Sequence, residues 1–124
     1  MGYYMYLMKS KFKMKENSEE KALEALKELA RKDIYLDWIY NEEIKNASTF
    51  NEAMRACRWE VVEQYDSICF NGEKYGSDDL IFNTIALYVE DDSYIQMQGE
   101  DGLIWRWIFK DGQCIERQAT IVFN

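Results

Sequence analysis

Apolar and polar positions alternate from Tyr3 to Lys15. Tyr4, Tyr6, Met8, Phe12 and Met14 fall on one side of an extended chain, and Lys9, Lys11, Lys13 and Lys15 on the other. This predicts a first strand with a solvated lysine row, as suits an edge strand that must not pair with another molecule. An anion-binding stripe is the alternative. The period then lengthens. In "NSEEKALEALKELARK" Asn17 and Glu20 stand at capping-box spacing, Glu19 and Glu20 suit the positive helix end, and Arg31 and Lys32 suit the other. Ala22, Leu23, Leu26, Leu29 and Ala30 form the stripe that such a helix buries.

"DIYLDWIY" is short, apolar and aromatic and predicts a brief strand. Thr49 and Glu52 repeat the capping-box spacing ahead of Phe50, Met54 and Cys57 at helical intervals. "WEVVEQYDSICFNG" returns to strand character, with a turn at Tyr65-Asp66-Ser67. Ser77 is placed to cap a third helix over "DDLIFNTIALYV", in which Leu80, Ile81, Phe82, Ile85, Ala86 and Val89 recur. After the turn "EDDS", three strands finish the chain. The order β-α-β-α-β-β-α-β-β-β predicts one α+β domain over residues 1–124: a mainly antiparallel sheet, three helices packed on one face, and a C-terminal three-stranded meander.

Two turns fix the meander. Asp111-Gly112 predicts a two-residue hairpin in which Lys110 faces Gln113, so that Phe109 meets Cys114, Trp107 meets Glu116, Arg106 meets Arg117 and Trp105 meets Gln118. "GEDG", taken as a four-residue loop, pairs Gln98 with Leu103, Gln96 with Trp105 and Tyr94 with Trp107. Directly paired residues share a side. One side then holds Ile95, Met97, Ile104, Ile108, Ile115, Ala119, Ile121 and the Arg106–Arg117 pair, and is expected to face the helices. The other holds Tyr94, Gln96, Gln98, Leu103, Trp105, Trp107, Phe109, Cys114, Glu116, Gln118 and Thr120. Its mixture of rings and polar groups suits a recognition platform or an oligomer interface; a register shift near Arg117 would instead bury the indoles, the usual place of tryptophan. Two opposed arginines need an acidic neighbour, such as Glu60, Glu63, Asp78 or Asp79, or an anionic ligand.

Composition narrows the chemistry. Net charge is −8, with 23 acids against 15 Lys and Arg, which disfavours binding to nucleic-acid backbones or anionic membranes. Histidine is absent, and with it the commonest general base and zinc ligand. No Ser-His-Asp or Cys-His set, phosphate-cradling glycine loop or zinc-spaced cysteine cluster exists. Adjacent carboxylates at Glu19-Glu20, Glu42-Glu43, Asp78-Asp79, Asp91-Asp92 and Glu100-Asp101 fall at helix starts and turns. No enzyme, metal or cofactor is therefore expected. Cys57, Cys69 and Cys114, odd in number and widely spaced, read as free thiols of a reducing cytoplasm. "MGYYMYLMKSKFK" lacks the apolar core of a signal peptide.

"GEDG…WRWIFKDG", preceded by "FNGEKYGSDDLIFNTIALYVEDDSYIQMQ", resembles a set of small acidic proteins of bacteriophages and bacterial mobile elements, none with an assigned activity. The resemblance covers most of the chain and implies counter-defence by occupancy in the bacterial cytoplasm. The first expectation is a non-catalytic protein that sequesters a small nucleotide-like signal, with Tyr94, Gln96, Gln98, Trp105, Trp107, Glu116, Gln118, Arg106 and Arg117 at the site. The alternative is an acidic inhibitor that covers a basic surface of a host defence nuclease. Either form is expected to be a homodimer, since an exposed aromatic sheet face seldom stays uncovered.

Overall fold

A computed structural model describes residues 2–119. Ten elements follow in the order β1 (Met5–Lys11), α1 (Glu19–Arg31), α2 (Asn41–Lys45), α3 (Phe50–Ala56), β2 (Trp59–Val62), β3 (Ser67–Phe70), α4 (Asp78–Ile85), β4 (Tyr94–Gly99), β5 (Ile104–Lys110) and β6 (Gln113–Gln118). The fold is α+β. Strands β1-β4-β5-β6 form one antiparallel sheet in that spatial order, and β2-β3 form a separate hairpin. Helices and hairpin cover one face of the larger sheet. No described helix is long and apolar enough to cross a membrane.

Local chemistry accounts for most of these elements. In α1, Ala22, Leu26, Leu29 and Ala30 are buried as the stripe requires. Thr49 caps α3, its hydroxyl accepting the Glu52 N–H at 3.1 Å while the Glu52 carboxylate accepts the Ser48 N–H. Three expectations are corrected. Asn17 does not cap α1: it sits in a left-handed turn at φ 58°, and Ser18 holds the N-cap position, its hydroxyl donating to the carbonyls of Lys15 and Tyr88. Ser77 occupies the N-cap of α4, but its hydroxyl accepts the Asp37 N–H and caps nothing in the helix. "DIYLDWIY" is not a strand. Its backbone reverses at Asp33 and Trp38, both at positive φ, and α2 follows.

The first strand carries a bulge. Met5 pairs with Gly99, Tyr6 with Gln98 and Leu7 with Met97, but Lys9 then pairs with Gln96, leaving Met8 as the extra residue. Before the bulge odd-numbered residues point inward; after it even-numbered ones do. Met5, Phe12 and Met14 are thus buried while Tyr4, Tyr6 and Met8 are exposed. The single alternating face read from sequence is split between the two sides. As expected, β1 is an edge strand, and its lysines are exposed.

Candidate functional site

The β5–β6 register follows the Asp111-Gly112 turn pair by pair, from Lys110↔Gln113 to Trp105↔Gln118. Asp111 and Gly112 both take positive φ, at 53° and 76°. The β4–β5 register differs by one residue: Gln98 pairs with Ile104, Met97 with Trp105, Gln96 with Arg106, Ile95 with Trp107 and Tyr94 with Ile108. The cause is the loop. The Gly99 N–H reaches the Leu103 carbonyl at 2.8 Å, so Glu100, Asp101 and Gly102 form a three-residue connection with Gly102 left-handed at φ 87°. A loop one residue shorter than expected turns every β4 side chain over. Ile95 and Met97 join the indoles, and Tyr94, Gln96 and Gln98 join Arg106 and Arg117. Thr120 and Ile121 lie outside the described residues.

The two faces are also placed the other way round. Trp105 and Trp107 are 4% and 1% exposed, packed beneath helix and hairpin, so they are not an open platform. Trp107 meets Phe82 of α4 at 4.9 Å and Trp59 of β2 at 6.0 Å between ring centroids, and Phe109 meets Phe12 and Phe82. Wide rings remove more apolar area from water than isoleucines do, which decides the side. The polar groups that argued for exposure are absent from this core: Gln96 and Gln98 have turned outward, and Glu116 and Gln118 are exposed on edge strand β6. Two indole N–H groups, Trp105 Nε1 and Trp107 Nε1, are buried with no hydrogen-bond partner among the described residues.

The sheet's other face is open. Outward positions are Tyr6, Lys9 and Lys11 of β1, Tyr94, Gln96 and Gln98 of β4, Ile104, Arg106, Ile108 and Lys110 of β5, and Gln113, Ile115 and Arg117 of β6, with Met8 on the bulge. None is a carboxylate. The one acid within these four strands, Glu116, points to the other side. Arg106 is held in place by neutral groups: its Nε donates to Gln96 Oε1 at 2.8 Å, and its guanidinium lies 4.3 Å over the Tyr94 ring. Gln96 in turn contacts the Met8 sulfur. Among the described residues neither Arg106 nor Arg117 has a carboxylate within ion-pair distance; Lys110 reaches Asp92 at the rim, 3.5 Å away. The acids expected to neutralise the arginines lie elsewhere. Asp78 is buried in α4, where both its oxygens take N–H bonds from Arg58, and Trp59 Nε1 and the Gly76 N–H complete the set. Glu60 faces Arg55.

The nine residues expected at the site therefore divide. Tyr94, Gln96, Gln98, Arg106 and Arg117 share the open face, while Trp105, Trp107, Glu116 and Gln118 belong to the covered side. At the margin of that side, Trp105, Glu116 and Gln118 line a cavity of about 360 Å³ with Tyr3, Tyr75, Asp101 and Leu103. Leu103 was placed on this side from the sequence, but Tyr3, Tyr75 and Asp101 were missed, because no periodicity ties residues 3, 75 and 101 together. The signal that was available is Gly99. A Cβ there would lie 1.7 Å from the Tyr3 hydroxyl, so the glycine makes room for that ring. The Tyr3 hydroxyl donates to Asp101, whose carboxylate also accepts the Leu103 N–H. The Tyr3 bond holds the Asp101 carboxyl below the usual range, and the same bond raises the Tyr3 phenol to about 12. Burial pushes the thiol of Cys114, on β6 two positions from Glu116, up to about 12. No cluster of metal-ligating side chains occurs among the described residues.

A search for related proteins finds no matching family model, no matching curated protein and no matching solved structure.

Proposed function

We propose that this protein is a non-catalytic binding protein that holds a phosphate-bearing, nucleotide-like ligand on the open face of its four-stranded sheet. One observation carries the reading: the outward positions present Lys9, Lys11, Arg106, Lys110 and Arg117 and no carboxylate, in a chain of net charge −8. Such segregation raises the local concentration of anions that the molecule as a whole repels. Arg106, fixed by Gln96 and Tyr94 and not by an acid, keeps its remaining N–H donors for phosphate, which a guanidinium fork fits well. Gln98 supplies amide readout, and Tyr6 and Tyr94 supply ring faces. In a homodimer joined through this face, the ligand's phosphates lie between two sets of cations that would otherwise repel.

In the setting implied by the phage-like sequence, occupancy alone is the mechanism: a nucleotide-derived defence signal is taken up and withheld from its receptor in the bacterial cytoplasm. The test is to incubate the purified protein with lysates of cells with and without active defence signalling, denature it, and identify the released small molecules. A nucleotide species should be released by the wild type after exposure to activated lysate. The Arg106→Ala/Arg117→Ala variant should release less than about a tenth as much, since two charge-assisted contacts at about 1.5–3 kcal/mol each are lost. Its thermal midpoint should be unchanged. Equal release from both proteins contradicts the reading.

A different observation favours a second reading. A concavity of about 740 Å³ between the end of β1 and the start of α1 gathers Glu16, Glu19, Glu20, Glu63, Asp66 and Glu90 against Lys13 and Lys15. This concavity suits the basic surface of a defence nuclease. Co-purification of a host protein that dissociates steeply with salt, with no nucleotide released, would favour that reading.

A further inference from the structure

The marginal cavity has a chemistry opposite to that of the open face. Its walls are the rings of Tyr3, Tyr75 and Trp105, its charged groups are the carboxylates of Asp101 and Glu116, and no lysine or arginine lines it. The rings stand at angles to one another. Tyr75 meets Trp105 edge to face at 5.9 Å and 64°, and Tyr3 lies tilted from Trp105 at 6.3 Å and 37°. Rings already in mutual contact leave no parallel slot for a stacked base. They form a corner, and a corner of aromatic rings flanked by carboxylates suits a rounded cation. Its volume of about 360 Å³ falls at the small end of ligand cavities, about 300–1,000 Å³.

We propose that this cavity binds a methylated ammonium group, with Tyr3, Tyr75 and Trp105 as its cage and Glu116 and Asp101 as its counter-charges. Asp101 is held through one carboxylate oxygen, which accepts from both the Tyr3 hydroxyl and the Leu103 N–H, so its charge is fixed in place. Glu116 is exposed and among the described residues accepts only a long bond of 3.4 Å from the Tyr75 hydroxyl, so it is the carboxylate able to turn toward a ligand. The inference is independent of the anion site, which lies on the opposite side of the sheet.

Two sources share this chemistry: a free quaternary amine, and a trimethylated lysine on a partner protein. The full-length protein is titrated by calorimetry with choline, with a short trimethyllysine peptide, and with 3,3-dimethyl-1-butanol, the neutral isostere of choline. Choline should bind at least about tenfold more tightly than the isostere, the margin that a desolvated cation–π contact gives. Glu116→Gln should weaken choline by about threefold or more and leave the isostere unchanged, while a matching thermal midpoint shows the fold intact. A trimethyllysine peptide that binds more than about tenfold tighter than choline assigns the site to a partner's side chain; the reverse order assigns it to a free amine. Equal binding of choline and its isostere, or no heat from either cation up to about 10 mM, overturns the proposal.

Discussion

At the scale of the residue, Trp107 and Asp78 show how this core is held. Trp107 is in ring contact with Trp59, Phe82, Tyr75 and Trp105. Asp78 is fully buried; burial pushes its carboxyl up, while Arg58, Trp59 and the Gly76 N–H pull it back. The indole of Trp59 thereby bonds to α4 through its N–H and meets Trp107 of the sheet at near right angles. Trp107→Ala should cost about 3–5 kcal/mol in urea unfolding, the range for emptying a large buried aromatic site. A loss under about 1 kcal/mol would mean that the ring faces water. Tryptophans at alternate strand positions were legible as one face of β5. Which face they occupied was not, because the deciding partners, Trp59 and Phe82, come from segments with no sequence signal of where they pack.

At the scale of the element, the tight turn at Asp111-Gly112 was legible to the residue, because both positions need a positive φ that few other pairs accept. The Thr49–Glu52 cap was legible for a similar reason, since its bonds join neighbours in sequence. The bulge at Met8 and the three-residue loop after Gly99 were not. The bulge adds one residue and the loop is one residue shorter than expected, and each change inverts sides along a strand. The loop is tied down by the Tyr3–Asp101 bond, and this gives it a defined pH response. The Asp101 carboxyl titrates below its unfolded value, so the tether is complete above that value and is lost as pH falls through the depressed folded one. On the alkaline side it persists until the Tyr3 phenol ionises, near 12. Tyr3 ring resonances should therefore stay fixed from neutral pH down past the usual carboxylate range and shift only below it. A shift centred on the ordinary aspartate value would show that the bond does not form in solution.

At the scale of the whole molecule, the distribution of charge matters more than its total. The net −8 argued against anionic partners, but as an average it conceals a sheet face from which carboxylates are missing. That face could not be assembled from sequence, since it joins Lys9 and Lys11 across the β1 bulge to arginines about a hundred positions later. The Arg106–Arg117 pair was legible. The structure adds that two of the candidate acids pair elsewhere, Asp78 with Arg58 and Glu60 with Arg55. The account thus turns on which side of β5 receives the ligand. Side-chain N–H resonances followed by NMR during titration with tripolyphosphate test this most directly. The Nε–H signals of Arg106 and Arg117 and the amide signals of Gln96 and Gln98 should move together and saturate, while the indole signals of Trp105 and Trp107 stay in place. Movement of the indoles with the arginines unmoved would contradict it.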